Sequence, residues 1–167
     1  FRGLREQARH YRDQNKPVFI KGLCAGLFEM HQRVRGMENA MLDPFMFPGN
    51  SDKLIGKLAD LKIEFWDAAL EEVGDLVDIV GEGDDYGTQQ SQLIDPDQFR
   101  TYYKPHFTRV LKFIKENQNN QNNQNNRTIV NCSDSAIFED RTLLLDAIKM
   151  CGEKTYTREK LISMLLN

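Results

Sequence analysis

The segment Gly81-Glu82-Gly83-Asp84-Asp85-Tyr86-Gly87-Thr88-Gln89 gathers three carboxylates, a phenol and an amide directly after an apolar, β-branched run. Clustered carboxylates raise one another's pKa, or they require a cation or a donor-rich substrate beside them. The glycines permit tight turns and let a ligand come close to backbone. On these residues alone two readings stand: an acidic, solvated turn, or a ligand-binding loop. In α/β folds the ligand site lies at the carboxyl ends of the strands, so the loops after Cys24, Val80 and Cys132 are the places to look.

The elements that would carry these loops follow from local pattern. Val18-Phe19-Ile20, within Pro17 to Cys24, reads as a buried strand that leaves into a glycine-bearing loop. A helix is expected from about Leu27 to Asp43, stopped by Pro44 and Pro48-Gly49-Asn50. Ser51 offers an N-cap for a long helix from Asp52 to Val73, with Leu54, Ile55, Leu58, Leu61, Phe65, Ala69, Leu70 and Val73 as its stripe. Gly74 stands where a left-handed C-terminal residue is wanted. Leu76 to Val80 reads as a second strand and Gly81 to Asp95 as a polar loop. Asp95-Pro96-Asp97-Gln98 then announces a helix: an Asp cap, Pro at the first helical position, and Gln placed to close a capping box. Phe99, Tyr103, Phe107, Val110 and Ile114 form its buried face, and Pro105 is expected to kink it. Asn117 to Asn126, only Gln and Asn, is expected to be a flexible linker. Thr128 to Val130 reads as a third strand, with further helices around Leu143 to Ile148 and from Thr157 to Leu165.

Helices alternating with short buried strands predict a helix-rich α/β fold with parallel pairing. Three strand-helix units fall short of the eight of a closed barrel, and the chain starts without an initiator Met or a signal-peptide pattern. A partial barrel, or one whose ends are completed by something else, is the expectation, with residues 1–116 as barrel-like segment, 117–126 as linker and 127–167 unassigned. An incomplete barrel exposes strand edges, which favours self-association.

Composition narrows the function classes. At 40% hydrophobic and 28% charged the chain resembles an ordinary globular protein, and no apolar run approaches the roughly 20 residues that span a bilayer. A formal charge of -3 argues against nucleic acid as a partner. Arg2, Arg5, Arg9, Arg12 and Lys16 are read as the solvated side of an amphipathic helix whose apolar side is Phe1, Leu4, Ala8 and Tyr11. Cys24, Cys132 and Cys151 match no disulfide scaffold or Cys-x-x-Cys metal site, so a reducing, cytoplasmic setting is expected. Cys24 with His31 is read as a buried thiol beside a surface imidazole, and Met30, Met37, Met41 and Met46 as packing. His106 is expected to face solvent, and Trp66 to pack within the long helix's apolar surface.

Two blocks resemble a known family. Val80 to Gln89 followed by Leu93-Ile94-Asp95-Pro96-Asp97-Gln98-Phe99-Arg100 and Lys104-Pro105 is similar to the strand, active-site loop and following helix of the uroporphyrinogen decarboxylase superfamily. Arg35-Gly36-Met37-Glu38-Asn39-Ala40-Met41-Leu42-Asp43 resembles that family's Gly-x-Glu-x-x-x-x-Asp helix. The match covers about Pro17 to Lys115. The resemblance implies a barrel enzyme, either a lyase that decarboxylates the acetate arms of a cyclic tetrapyrrole or a methyltransferase that moves methyl groups to and from corrinoids. It implies substrate contact in the loop, at Asp85 and Tyr86 first, with Asp84 and Gln89 behind them. The Asp-Asp-Tyr-Gly-Thr-Gln form looks more like the methyltransferase-like branch, which makes a corrinoid the candidate cofactor. That branch binds zinc through a His-x-Cys pair on a later strand; here the matching stretch is Ile129-Val130-Asn131-Cys132-Ser133, so zinc is not expected.

Overall fold

The computed structural model describes residues 3–23, 25–88, 90–119 and 128–131. Three short strands, β1 (Phe19–Lys21), β2 (Ile79–Glu82) and β3 (Thr128–Asn131), pair side by side in chain order. Both pairings are parallel, with Ile20 opposite Val80 and Val80 opposite Ile129. Parallel neighbours need a crossover, and the one between β1 and β2 is helical. It consists of α2 (Leu27–Arg35), α3 (Met37–Met46) and α4 (Pro48–Val73). α1 (Leu4–Asp13) precedes β1; α5 (Pro96–Gln98), a π-helical turn (Phe99–Tyr103) and α6 (Lys104–Asn119) follow β2. Among the described residues the chain is helix-rich α/β, and no helix is long and apolar enough to cross a membrane.

The core forms where α4 meets α6 behind β2. Ile55, Leu58, Ala59, Trp66, Ala69, Leu70 and Val73 of α4 are buried, as are Phe107, Val110, Leu111 and Ile114 of α6 and Val80 of β2. The α4 stripe differs from the expected one: Lys62 is inside and Leu61 is exposed. Leu58, Lys62 and Trp66 recur at four-residue spacing, so a lysine occupies the apolar face itself. The basic residues of α1 are more than a solvated side. Arg5 makes two hydrogen bonds of 2.7 Å to Asp75 and one to the Glu72 carbonyl. Arg12 pairs with Asp78, whose other oxygen accepts from the Val18 amide at the entry to β1.

Several boundaries differ from expectation for identifiable reasons. The helix expected from Leu27 to Asp43 is two helices, because Gly36 takes φ 80 and ψ 151, a region essentially closed to residues with a Cβ. Pro44 lies inside α3 rather than ending it. α4 begins with Pro48 at its first turn, and Ser51 is a buried residue within it rather than its cap. Gly74 follows α4 in right-handed conformation. β2 runs from Ile79 to Glu82 rather than from Leu76 to Val80, because Leu76 is held in a turn by the Val73 carbonyl. The Asp95 cap is as expected and accepts from the amides of Asp97 and Gln98. Gln98 leaves its amide nitrogen buried without a partner among the described residues instead of closing the box.

Pro105 is met by the π turn. Lacking an N–H, it would clash with the carbonyl four residues earlier in a regular helix. The turn before it widens instead, and the Lys104 amide bonds the Phe99 carbonyl five residues back. α6 continues to Asn119, into the Gln/Asn run. The rest of that run, from residue 120, and the helices expected near 143–148 and 157–165 lie outside the described residues, as do Cys24, Cys132 and Cys151.

Candidate functional site

The residues with most chemistry meet at the carboxyl end of β2 and the start of α2. Glu82 is the last residue of β2 and is buried, so it is removed from the acidic loop in which the sequence placed it. Val80 and Glu82 share one face of the strand by their period of two, and that face looks toward α4. There Lys62 Nζ donates to Glu82 Oε2 at 2.8 Å and Trp66 Nε1 donates to Oε1. Lys62 also reaches the Leu23 carbonyl at 3.3 Å, which ties the loop after β1 to the same group.

Asp84 is buried and has its own task. One oxygen accepts from the Phe28 amide at 2.8 Å; the other accepts from the amides of Glu29 and Asp85 at 3.0 Å. It thereby caps α2 from a distant loop, satisfying N–H groups that a helix start leaves orphaned. Gly26 makes this approach feasible, because a Cβ there would lie 2.0 Å from the Asp84 carboxyl carbon. Burial pushes the Asp84 carboxyl above its ordinary value, opposed by the Tyr86 hydroxyl and the three amides that donate to it. Tyr86 is buried as well, stacked on Phe28 at 5.7 Å and edge-on to Phe99 at 4.9 Å. Burial and the neighbouring Asp84 raise its phenol well above the ordinary value.

Asp85 is the exception. It is half-buried, and its carboxylate makes no hydrogen bond or ion pair among the described residues. Gln89 lies outside the described residues. Of the four loop residues put forward from sequence, then, Asp84 and Tyr86 are built into the fold, and the Asp85 carboxylate has no partner among the described residues.

Sequence reasoning missed a second polar cluster. His31, read as a surface residue, is fully buried. Its Nδ1 lies 2.7 Å from the Tyr103 hydroxyl, and its Nε2 has no hydrogen-bond partner among the described residues, with Asp43 Oδ2 4.0 Å away. Asp43 is held by Arg35 through bonds of 2.5 and 3.1 Å. The Arg35-to-Asp43 motif thus closes on itself around the Gly36 turn. Burial lowers the His31 pKa, partly offset by Asp43, while Arg35 lowers it further. Arg35 holds the Asp43 carboxyl below its ordinary value. Burial raises the Tyr103 phenol, with Asp84 and Asp43 adding to it. The signal that marks this cluster is spacing: Leu27, Phe28 and His31 recur at helical intervals, which puts the imidazole on the buried face of α2.

No group of three or more His, Cys, Asp or Glu side chains among the described residues is arranged to hold a metal ion. Compared with known proteins, the chain matches no family model, no curated sequence and no solved structure.

Proposed function

We propose that the chain is part of a barrel-type wall whose strand ends form a ligand-binding rim, and that it belongs to the methyltransferase-like branch of the uroporphyrinogen decarboxylase superfamily. The observation that carries this reading is Asp85, a carboxylate in the loop directly after β2 that has no partner among the described residues, at the strand end where α/β folds bind ligands. The strand order β1-β2-β3, each new strand added beside the last, is what a singly wound barrel wall requires. The charge of the site selects between the family's two ligand types. A corrinoid carries amide side chains, whose N–H groups donate to a carboxylate. Uroporphyrinogen carries carboxylates, which Asp85 repels.

Absorbance titration with hydroxocobalamin and, separately, with uroporphyrin tests the assignment. Hydroxocobalamin binds the wild type, and Asp85→Asn weakens it about ten- to a hundredfold, the value of one hydrogen bond to a charged group. Equal binding by both proteins, or none by either, refutes the ligand role of the loop. Tighter binding of uroporphyrin, strengthened by Asp85→Asn, transfers the assignment to the decarboxylase branch.

A second reading, assembly through strand edges, rests on β1. It is one of the two outer strands of the order, and Phe19 on it is 46% exposed. Such an edge pairs readily with another strand. Sedimentation separates the two readings: a defined dimer that dissociates on Phe19→Lys supports assembly, and a stable monomer removes it.

A further inference from the structure

His31 joins three elements, α2, α3 and the π turn, through two nitrogens with unequal partners. The neutral tautomer that turns a proton toward Asp43 has the Tyr103 hydroxyl donating to Nδ1, 2.7 Å away, and the ring proton on Nε2, facing Asp43 Oδ2 across 4.0 Å. That distance is too long for a hydrogen bond, and Asp43 is meanwhile spent on Arg35. One proton from solvent changes both ends. An Nδ1–H makes the Tyr103 oxygen an acceptor and turns its hydroxyl proton toward another partner, and the cationic ring competes with Arg35 for Asp43.

We propose that His31 is a proton-operated latch: neutral, it leaves Asp43 to Arg35 and accepts from Tyr103; protonated, it takes Asp43 through Nε2 and turns Tyr103 from donor to acceptor. The charges that act on His31 are Asp43 on α3 and Arg35 at the end of α2, and α4, which packs against α2, adds none. Asp84, after β2, acts on Tyr103. The consequence reaches the strand-end loop through rings in contact, since Tyr103 lies edge-on to Tyr86 at 6.1 Å and the Tyr86 phenol neighbours Asp84. The π turn is the element suited to move, because its widened geometry already departs from a regular helix. The latch does not depend on which ligand the loop binds.

Nitrogen-15 NMR of the imidazole rings tests this in the intact chain, with His31 assigned by its loss in His31→Gln. At pH 7.5 the His31 ring is the neutral tautomer protonated on Nε2. As pH falls below about 6.5, the midpoint of a free imidazole, the ring protonates, and the amides of Gly36 to Asp43 and Phe99 to Lys104 shift with the same midpoint. Asp43→Asn moves that midpoint to lower pH. A ring protonated on Nδ1 at pH 7.5 overturns the latch, and so does titration without those amide shifts. Loss of all dispersed amides in one step with the ring overturns it too, since that is global unfolding.

Discussion

Glu82 and His31 are both fully buried polar residues, and their surroundings differ in one respect. Glu82 has a donor on each oxygen, Lys62 on one and Trp66 on the other. His31 has a partner on one nitrogen and only a 4.0 Å approach to Asp43 on the second. The first arrangement leaves neither oxygen without a donor and fixes α4 against β2. The second retains an unused position, and an unused position is what a change of protonation needs. Buried polar groups rigidify when fully partnered and become the adaptable point when they are not.

The sharpest way to break the Glu82 arrangement is Lys62→Met. Removing one member of a buried pair leaves the other charge uncompensated, a cost of about 3–5 kcal/mol, here with both side chains only 1% exposed. Urea denaturation at pH 7.5 reads it. The double variant Lys62→Met with Glu82→Gln recovers a large part of the loss, because no orphan charge remains. A single variant as stable as wild type contradicts the static role.

Asp84 tests whether the loop is fastened to α2. Asp84→Ala removes the cap and strands the amides of Phe28, Glu29 and Asp85 in the interior, a loss of about 1–3 kcal/mol. A smaller loss, within about 0.5 kcal/mol, would mean that water takes over those amides. Gly36→Ala sets a similar scale by another route. No atom lies within 4 Å of a Cβ placed there, so the cost is backbone strain alone, about 1–3 kcal/mol for that conformation.

The difference between the two clusters also marks what could be read from sequence. Asp95-Pro96 was legible because cap, proline and helix are neighbours in the chain. The three parallel strands were legible as apolar runs, although β2 was placed three residues early. The Leu76 to Val80 run looks continuous, and only the Asp78 bond to the Val18 amide, sixty residues away, shows where pairing starts. Glu82, flanked by Gly81 and Gly83, carries every mark of a loop residue. Its status as a buried strand residue depends on Lys62 and Trp66, which the fold alone brings to it. His31 was misread as exposed because a lone histidine carries no hydropathy signal strong enough to choose a face. Local chemistry is written locally; the pairing of buried polar groups is not.

The pH dependence of stability distinguishes the two clusters without any substitution in the loop. His31 is held below its ordinary value in the folded chain, so the unfolded chain binds a proton there first. The stability due to neutral His31 is therefore complete above about pH 6.5 and is lost as pH falls toward the folded value. Asp84 works in the opposite sense. Its carboxyl is raised in the folded chain, so the folded state takes up its proton first and gains stability as pH falls through the folded value toward the free-carboxyl range. Urea melts at pH 7.5 and 5.5 show a loss for the wild type and a smaller one for His31→Gln. Equal losses would mean that another group carries the dependence.

The smallest effect on stability belongs to Asp85→Asn, and its smallness is the point. The Asp85 carboxylate has no partner among the described residues, so the change removes no hydrogen bond, ion pair or packing, and stability stays within about 0.5 kcal/mol of wild type. Only the backbone amide of Asp85 is engaged, and the substitution keeps it. A carboxylate that costs the fold nothing to remove can be spent entirely on a ligand, whereas Glu82 and Asp84 cannot. Thermal melts run beside the hydroxocobalamin titration decide the matter. Unchanged melting with weakened binding assigns the carboxylate to the ligand. A drop of several degrees instead would mean that Asp85, like its two neighbours, holds the loop in place.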